Sequence, residues 1–343
     1  MTCAESEPAL TPADQKSPLI TLTDVAAEAG VGESTVSRVL RNHGSFSEKT
    51  RAKVMAAVEK LGYVPNKIAG ALASTGSPLV AIIVPSLSNI VFADVLSGVT
   101  KALEAKGHQA VFAVTDYDPA KEEALVAAVL AWRPAAVMLV GLEHTDGTRR
   151  MLHASGCRVL ELLDIDGEAI DIAVGFSHHE AGRQTAARLL ESGYRNIAYV
   201  GHDLKHDMRS GKRFAGFLEG LANAGLELAE QEIRDAPSSV SEGRAGLADV
   251  LSRGRPIDAV YFSNDDMALG GYFHCLAERI SIPDQIALMG FNALDICRHT
   301  PQPIASVFTP RIETGRRAAE LFLEGAPSQV VDLGFTIVAG ATI

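Results

Sequence analysis

Polar and cationic side chains recur on one face of a short helix that the spacing predicts near residues 33–40. The outward-facing residues are Ser34, Thr35, Ser37, Arg38 and Arg41. Hydroxyl groups and guanidinium groups hydrogen-bond to phosphate oxygens and to base edges in the major groove. This face therefore suits contact with duplex DNA, although an ordinary helical hairpin with solvated Ser and Thr side chains is the alternative interpretation.

A preceding helix and a tight turn would position this face. Thr23 and Asp24 offer side-chain oxygens for the free amides at a helix start, and Gly30 can end that helix in the left-handed conformation. A third helix is predicted over residues 48–61, with Ser47 as its cap. Two short helices joined by a Gly-containing turn predict a helix-turn-helix module.

The distribution of charge agrees with a small DNA-contacting module on a larger acidic body. The formal net charge of the 343 residues is −11. Residues 19–76 nevertheless carry seven basic and five acidic side chains, whereas residues 77–343 carry 23 basic and 34 acidic ones. Phosphate contacts need cations only where the duplex lies, so the mildly basic segment is the expected contact surface.

Several classes of protein are disfavoured by the sequence. No apolar run has the length of a membrane span, and the N-terminus lacks the basic-then-apolar pattern of a secretory signal. We therefore expect a cytoplasmic protein without a membrane partner. The four cysteines, which are expected as thiols, lack zinc-ligand spacing. They are Cys3, Cys157, Cys275 and Cys297.

Catalysis, metals and cofactors are not expected either. The glycine-rich motifs that bind nucleotides and the Gly-x-Ser-x-Gly motif of hydrolases are missing from the sequence. His178, His179 and Glu180 resemble metal ligands, but adjacent side chains diverge, so we interpret them as a surface helix cap.

From about residue 79, near-continuous apolar strands alternate with amphipathic helices. A first series runs to about residue 162 and a second begins near residue 172. This pattern predicts two similar sub-domains, each a parallel sheet covered on both faces, with a cleft between them. Ligands of such sheets bind beyond the carboxyl ends of the strands.

The predicted domain boundaries follow from these patterns. Residues 1–18 form a disordered tail, residues 19–65 the helix-turn-helix domain, and residues 66–78 a hinge helix and linker. The body spans residues 79–343. Its N-terminal sub-domain takes residues 79–175 and 307–325, and its C-terminal sub-domain takes residues 176–306 and 326–343.

The chain resembles the lactose-repressor (LacI/GalR) family of bacterial transcription regulators from about Ile20 to its C-terminus. The motifs are LTDVA at 22–26, TVSRVL at 35–40, LGYVPN at 61–66, NDDMALG at 264–270 and IPD at 282–284. The fold implied is an N-terminal all-α helix-turn-helix head on an α/β body of two periplasmic-binding-protein-like parallel-sheet sub-domains. A narrower resemblance is to the gluconate-utilisation repressor branch, in VPSLSN at 84–89, DIAVGF at 171–176, FTPR at 308–311 and DLGFT at 332–336.

The resemblance implies which residues contact DNA. Glu33, Ser34 and Arg38 correspond to base-reading positions, although Arg38 could instead contact phosphate or pair with Glu33, and Glu33 could point away. Leu72 corresponds to an apolar wedge in the minor groove. The complete implied set is Thr23, Glu33, Ser34, Thr35, Ser37, Arg38, Asn42, Asn66, Lys67 and Leu72.

The resemblance also implies a set of effector-binding residues in the cleft. Arg213 would hold a carboxylate; Arg209 is its alternative but is expected mainly as a solvated surface charge. Asn264 could be no more than a helix cap. The implied set is Asn89, Phe92, Asp116, Tyr117, Asp164, Arg209, Arg213, Asn264 and Asn292.

The resulting prediction is a homodimeric repressor of sugar-acid catabolism that binds double-stranded operator DNA and is released by an effector such as gluconate. Another sugar acid, a neutral sugar or a nucleobase remains an alternative effector. A solute-binding protein and a sugar-modifying enzyme are the alternative classes.

Overall fold

The computed structural model describes residues 20–65 and 77–343. The chain divides into two compact units, Met1–Thr75 and Gly76–Ile343. We call the described part of the first unit the head and the second the body, and each is described by itself. Within the described residues, no helix combines the length and the apolar character needed to cross a membrane.

The head consists of helices α1 (Leu22–Ala29), α2 (Glu33–Leu40) and α3 (Glu48–Leu61). Val25, Val36 and Val54, one from each helix, are fully buried and belong to a single small core. The three helices enclose this core between their apolar faces, and the predicted polar face of α2 lies outside it.

The helix ends of the head agree with the sequence prediction at two of three positions. Gly30 ends α1 in the left-handed conformation (φ 65°), and the Ser47 side chain caps α3. The cap of α1 is Thr21 rather than Thr23. The Thr21 hydroxyl accepts from the Asp24 N–H, and the Asp24 carboxylate accepts from the Thr21 N–H, which completes a reciprocal capping box.

The first sheet of the body contains β1 (Leu79–Val84), β2 (Gln109–Val114), β3 (Ala136–Val140), β4 (Arg158–Leu162), β5 (Ile172–Gly175) and β11 (Gln329–Asp332). All neighbours are parallel, in the spatial order β11-β5-β4-β3-β1-β2. Helices α4 (Ile90–Glu104) and α12 (Arg311–Glu324) pack together on one face. Helices α5 (Pro119–Leu130) and α6 (Asp146–Ser155) cover the other face, and we call this layered unit the N-terminal lobe.

The second sheet contains β6 (Ile197–His202), β7 (Glu230–Arg234), β8 (Ala259–Phe262) and β9 (Ala287–Met289), in the parallel order β7-β6-β8-β9. Helices α7 (His178–Glu191) and α8 (Met208–Asn223) pack on one face. Helices α9 (Val240–Ser252) and α10 (Asp265–Glu278) pack on the other, and a short α11 (Asp295–Arg298) follows β9. We call this unit the C-terminal lobe.

The last crossing between the lobes lies later in the chain than the predicted boundaries imply. It enters the C-terminal lobe after β5 and returns through β10 (Ser306–Phe308), which pairs antiparallel with β12 (Thr336–Val338). β11 pairs with β5 in the N-terminal lobe, whereas the sequence analysis placed residues 326–343 in the C-terminal sub-domain. This four-residue edge strand is only half covered, so its sequence lacks the continuous apolar run that marked the central strands.

Helices α7 and α8 approach each other closely because glycine stands at both contact points. A Cβ atom at Gly182 would lie 1.9 Å from the Arg213 carbonyl oxygen, and one at Gly216 would lie 1.9 Å from the His179 carbonyl oxygen. Neither position accepts a side chain without separating the helices. This contact fixes the backbone of Arg213 relative to the start of α7.

The fully buried carboxyl group of Asp265 lies beside β10, the strand at which the chain leaves the C-terminal lobe. Asp265 accepts hydrogen bonds from the Ser306 hydroxyl of β10 and from the Leu294 N–H, both at 2.6 Å. Burial raises the pKa of Asp265 to about 7, although both donors favour the ionised form. The folded protein thus holds a proton on Asp265 over a pH range in which the unfolded chain has released it.

We expect Asp265→Asn to flatten the pH dependence of stability. Because the folded-state pKa of Asp265 lies above the unfolded value, its stabilising contribution is complete below about pH 4 and is lost as the pH rises through about 7. An asparagine oxygen can accept from Leu294 without carrying a charge. Urea unfolding should show the variant gaining on the wild type by about 1.4 kcal/mol per pH unit across this range. Parallel stability curves would contradict the assignment.

Candidate functional site

The predicted DNA-reading face of α2 lies on the surface of the head. Glu33, Ser34 and Arg38 are exposed, and Thr35 and Ser37 are half-buried. The Arg38 Nε donates to the Ser34 carbonyl oxygen one turn earlier, at 3.3 Å. The side chains that were predicted to read bases therefore share one solvent-facing surface.

Glu33 and Thr23 form a contact that the sequence did not predict. The Thr23 hydroxyl donates to Glu33 Oε1 at 2.7 Å and joins the start of α1 to the start of α2. Asn42 is exposed and takes a positive φ of 51° just after α2, so it forms the turn that ends this helix. Asn66, Lys67 and Leu72 lie outside the described residues.

In the body, the carboxyl ends of the strands from both lobes face a common cleft, as the parallel sheets predicted. Two adjoining cavities of about 470 Å³ and 320 Å³ occupy this cleft, and a narrow extension of about 40 Å³ reaches inward. Tyr117 and Asp207 line all three spaces. Seven of the nine implied effector residues line the inward extension: Asn89, Phe92, Tyr117, Arg209, Arg213, Asn264 and Asn292.

Arg209 is buried, so the expectation of a solvated surface charge was wrong. Its side chain is 9% exposed and its guanidinium lies 5.2 Å from the centre of the Phe92 ring, which belongs to the other lobe. The Arg209 Nε lies 3.5 Å from Asp207 Oδ1. Burial disfavours the Asp207 carboxylate, but Arg209 and a hydrogen bond from His202 hold its pKa well below the usual range.

Arg213 has several partners around its guanidinium. Its guanidinium lies 4.1 Å from the centre of the Phe291 ring and donates to His178, to the Ser210 hydroxyl and to the Ser263 carbonyl oxygen. Its buried Nε and the buried Tyr261 hydroxyl have no other partner among the described residues, and these two side chains lie close enough to bond. A buried cation stabilises a nearby anion, so this guanidinium marks a place where an anionic ligand would be favoured.

The remaining cavity residues supply neutral polar groups and aromatic walls. The side-chain oxygens of Asn89 and Asn264 cap α4 and α10, which leaves their amide nitrogens as donors. Asn292 has a φ of 107° at the end of β9. Burial, together with the nearby Asp207, raises the pKa of Tyr117 to about 12, so its phenol is neutral and can donate.

Two implied residues do not reach the inward extension. Asp116 is exposed at the rim of the larger cavity and pairs with Lys121 at 2.5 Å. Asp164 is fully buried, and its Oδ2 accepts from Lys212 Nζ at 2.6 Å. Lys212 also contacts Glu143 at 2.6 Å, so this lysine of α8 links the C-terminal lobe to two loops of the N-terminal lobe.

His178 is buried and lines the inward extension, so its interpretation as a surface cap was wrong. Asp207 and His202 are also site residues that the sequence analysis missed; His202 contacts the Ser263 hydroxyl at 2.8 Å and Asp207 at 3.2 Å. His178 lies three residues after the end of β5, and His202 is the last residue of β6. The rule that ligands bind at strand ends could have drawn attention to both.

Comparison with known proteins identifies both units. Residues 77–331 match the family model "Periplasmic binding proteins and sugar binding domain of LacI family". Residues 21–66 match the model "Bacterial regulatory proteins, lacI family". The chain belongs to the LacI family.

Individual relatives align with nearly the whole chain. It is 38% identical to the HTH-type transcriptional regulator GntR of Pseudomonas aeruginosa, over 93% of this chain and 94% of that protein. It is 35% identical to GntR of Escherichia coli K12, over 94% of this chain and 98% of that protein. A LacI-family transcriptional regulator from Silicibacter pomeroyi shares its structure with a TM-score of 0.90 and 44% identity, over 94% of this chain and 99% of that one.

These relationships confirm the predicted fold class and the prediction of a DNA-binding transcriptional regulator. Members of the family regulate transcription and are not enzymes, so the alternative of a sugar-modifying enzyme is rejected.

We expect Lys212→Met to destabilise the body, because the Asp164 carboxylate would stay buried without its cation. Removing one partner of a buried ion pair should lower the free energy of unfolding by about 3 kcal/mol. Arg183→Met is the matched control, since Arg183 pairs with Glu180 on the exposed surface of α7 and should change stability little. Chemical denaturation of both variants compares them, and equal losses would argue against the Lys212 contact.

Proposed function

We propose that this regulator is a homodimeric repressor whose effector is a sugar acid, gluconate first, bound in the cleft of the body. The effector releases the repressor from its operator. The observation that carries this proposal is the pair of buried arginines, Arg209 and Arg213, that line the inward extension of the cleft.

The charges around the inward extension favour an anion. Arg209 and Arg213 both line it, and Asp207 is the one carboxylate among the described residues that line it. A carboxylate that accepts from the Arg213 guanidinium would balance the second cation. A neutral sugar could supply a hydroxyl acceptor but no charge.

The rest of the cleft suits a chain of hydroxyl groups. The amide nitrogens of Asn89 and Asn264 and the Tyr117 phenol offer donors, and Asp116 offers an acceptor at the rim. Phe92 and Phe291 offer apolar faces for the carbon skeleton. Cavities of about 470 Å³ and 320 Å³ lie within the range that holds small ligands. The similarity to GntR regulators supports the same choice of effector.

The head would read the operator through α2. Arg38 and Ser34 are exposed on it, and Glu33 can accept from a cytosine amine while the Thr23 hydroxyl holds its carboxylate. Thr35, Ser37 and Asn42 would contact phosphates. Because each head is only mildly basic, a homodimer that doubles the phosphate contacts on a pseudo-palindromic operator is the expected binding form.

We expect Arg38→Ala to weaken operator binding by about tenfold or more and to relax discrimination at one base pair, since a bidentate contact to guanine would be lost. Lys60→Ala is the matched control, because Lys60 lies on α3, outside the predicted DNA-reading face of α2, and pairs with Glu28 of α1. Fluorescence anisotropy against operator variants measures both. If Arg38→Ala bound the operator with wild-type affinity and still discriminated between the operator variants as the wild type does, this role would be removed.

We expect Arg213→Ala to lose the response to sugar acids. Gel shifts with the regulator's own promoter fragment measure release by gluconate, other sugar acids and neutral sugars. Operator binding without effector checks that the variant is folded. Wild-type protein that is released by neutral sugars but by no acid would overturn the proposed effector class.

A thermal-shift panel tests the effector independently of DNA. A ligand that binds only the folded body should add about 2.7 kcal/mol of stability at a hundred times its dissociation constant. Arg213→Ala should show no such gain with the acid that stabilises the wild type.

A further inference from the structure

His178 occupies an unusual position in the body. It is the first residue of α7, three positions after β5, where the chain leaves the N-terminal lobe for the C-terminal lobe. Its side chain is 3% exposed. The ring lies 4.4 Å from the Phe176 ring and 6.3 Å from the Phe291 ring, measured between centroids. The imidazole is therefore held in one orientation by aromatic contacts.

The hydrogen bonds of His178 fix its tautomer. Nε2 lies 2.7 Å from the Leu163 carbonyl oxygen, which can only accept, so Nε2 carries the hydrogen. Nδ1 lies 2.9 Å from Arg213 Nη1, which can only donate, so Nδ1 must offer its lone pair. Both contacts are satisfied only by the neutral ring.

The surroundings keep the ring neutral. Burial and the neighbouring cations Arg213 and Arg209 hold the pKa of His178 well below its usual range, while the Leu163 carbonyl and Asp207 act in the opposite direction. A protonated ring would place an Nδ1–H against the Arg213 guanidinium. The contact between these two side chains thus persists at physiological pH.

Among the contacts of the Arg213 guanidinium, the one with His178 leads to the N-terminal lobe. Ser210, Ser263 and Phe291 belong to the C-terminal lobe, whereas the other ring nitrogen of His178 is bonded to Leu163 at the end of β4. The imidazole therefore connects a loop of one lobe with the guanidinium of the other through two short hydrogen bonds.

We propose that His178 is a positioning residue, which orients the Arg213 guanidinium toward the effector's anionic group. The inference rests on the proposed function, because it assigns Arg213 an acidic effector.

Two amide substitutions separate the two hydrogen bonds. His178→Asn places an amide oxygen near the position of Nδ1 and keeps an acceptor for Arg213. His178→Gln places an amide nitrogen near the position of Nε2 and keeps the donor to Leu163. His178→Met fills the space without either polar atom. His108→Gln is the matched control, since His108 contacts the Pro78 carbonyl oxygen in a half-buried site without touching Arg213.

The experiment uses the full-length regulator, a fluorescent operator duplex and gluconate. The gluconate concentration for half-maximal release is measured for each protein, together with operator affinity without gluconate and the melting temperature. We expect this concentration to rise about tenfold or more in His178→Gln and His178→Met, because a hydrogen bond to a charged group is lost. In His178→Asn and His108→Gln it should stay within about threefold of the wild type.

Rescue by Asn but not by Gln is a pattern that a purely structural role would not produce. Wild-type release by gluconate in His178→Gln or His178→Met would overturn the positioning role while leaving the proposed function standing. An equal loss of the gluconate response in His178→Asn and His178→Gln, in parallel with a fall in their melting temperatures, would also overturn it. If the wild type itself ignores gluconate and every other sugar acid, the proposed function and this inference both fail.

Discussion

A cation removed from water must be compensated, and helix α8 places three of them along one turn at the cleft. Arg209 meets Asp207 and the Phe92 ring, Lys212 meets Asp164 and Glu143, and Arg213 meets His178, Ser210 and the Phe291 ring. Arg209 and Lys212 are compensated by carboxylates, whereas Arg213 has an imidazole, a hydroxyl group and an aromatic ring around it. Arg213 is therefore the cation of the three with no carboxylate among these contacts.

The partners of α8 also explain how a ligand could act on the whole body. Arg209 and Lys212 both touch groups of the N-terminal lobe, although the helix belongs to the C-terminal lobe. A change in the relative position of the lobes therefore changes the environment of buried charges. Charges in a poorly polarisable interior interact strongly, so a small displacement has an appreciable energy. A ligand that prefers one lobe arrangement can shift the population of states by its differential affinity.

The sequence was sufficient for features that depend on local chemistry. Gly30 and Ser47 end and begin helices as predicted, because glycine tolerates the left-handed conformation and serine satisfies free amides. The alternation of apolar strands with helices correctly predicted the two parallel sheets. Seven of the effector residues implied by the family resemblance line one cavity at the strand ends.

The sequence was insufficient where tertiary contacts decide the outcome. Arg209 was expected to be solvated because arginine is rarely buried, yet a carboxylate and an aromatic ring from distant positions cover it. His178 was dismissed because its neighbours diverge, although its own ring turns inward. β11 lacked a strong pattern because edge strands are only partly covered. Thr21 replaced Thr23 as a cap because the reciprocal bonds with Asp24 satisfy two amides at once.

The glycine contacts between α7 and α8 have a consequence for how this scaffold can diversify. With Gly182 and Gly216 leaving no room for even a methyl group, the two helices cannot slide along each other or rotate apart without loss of packing. The backbone that carries Arg209, Lys212 and Arg213 is thus a rigid platform. New effector preferences in descendants of this chain would have to come from exchanging side chains on that platform, not from remodelling its course.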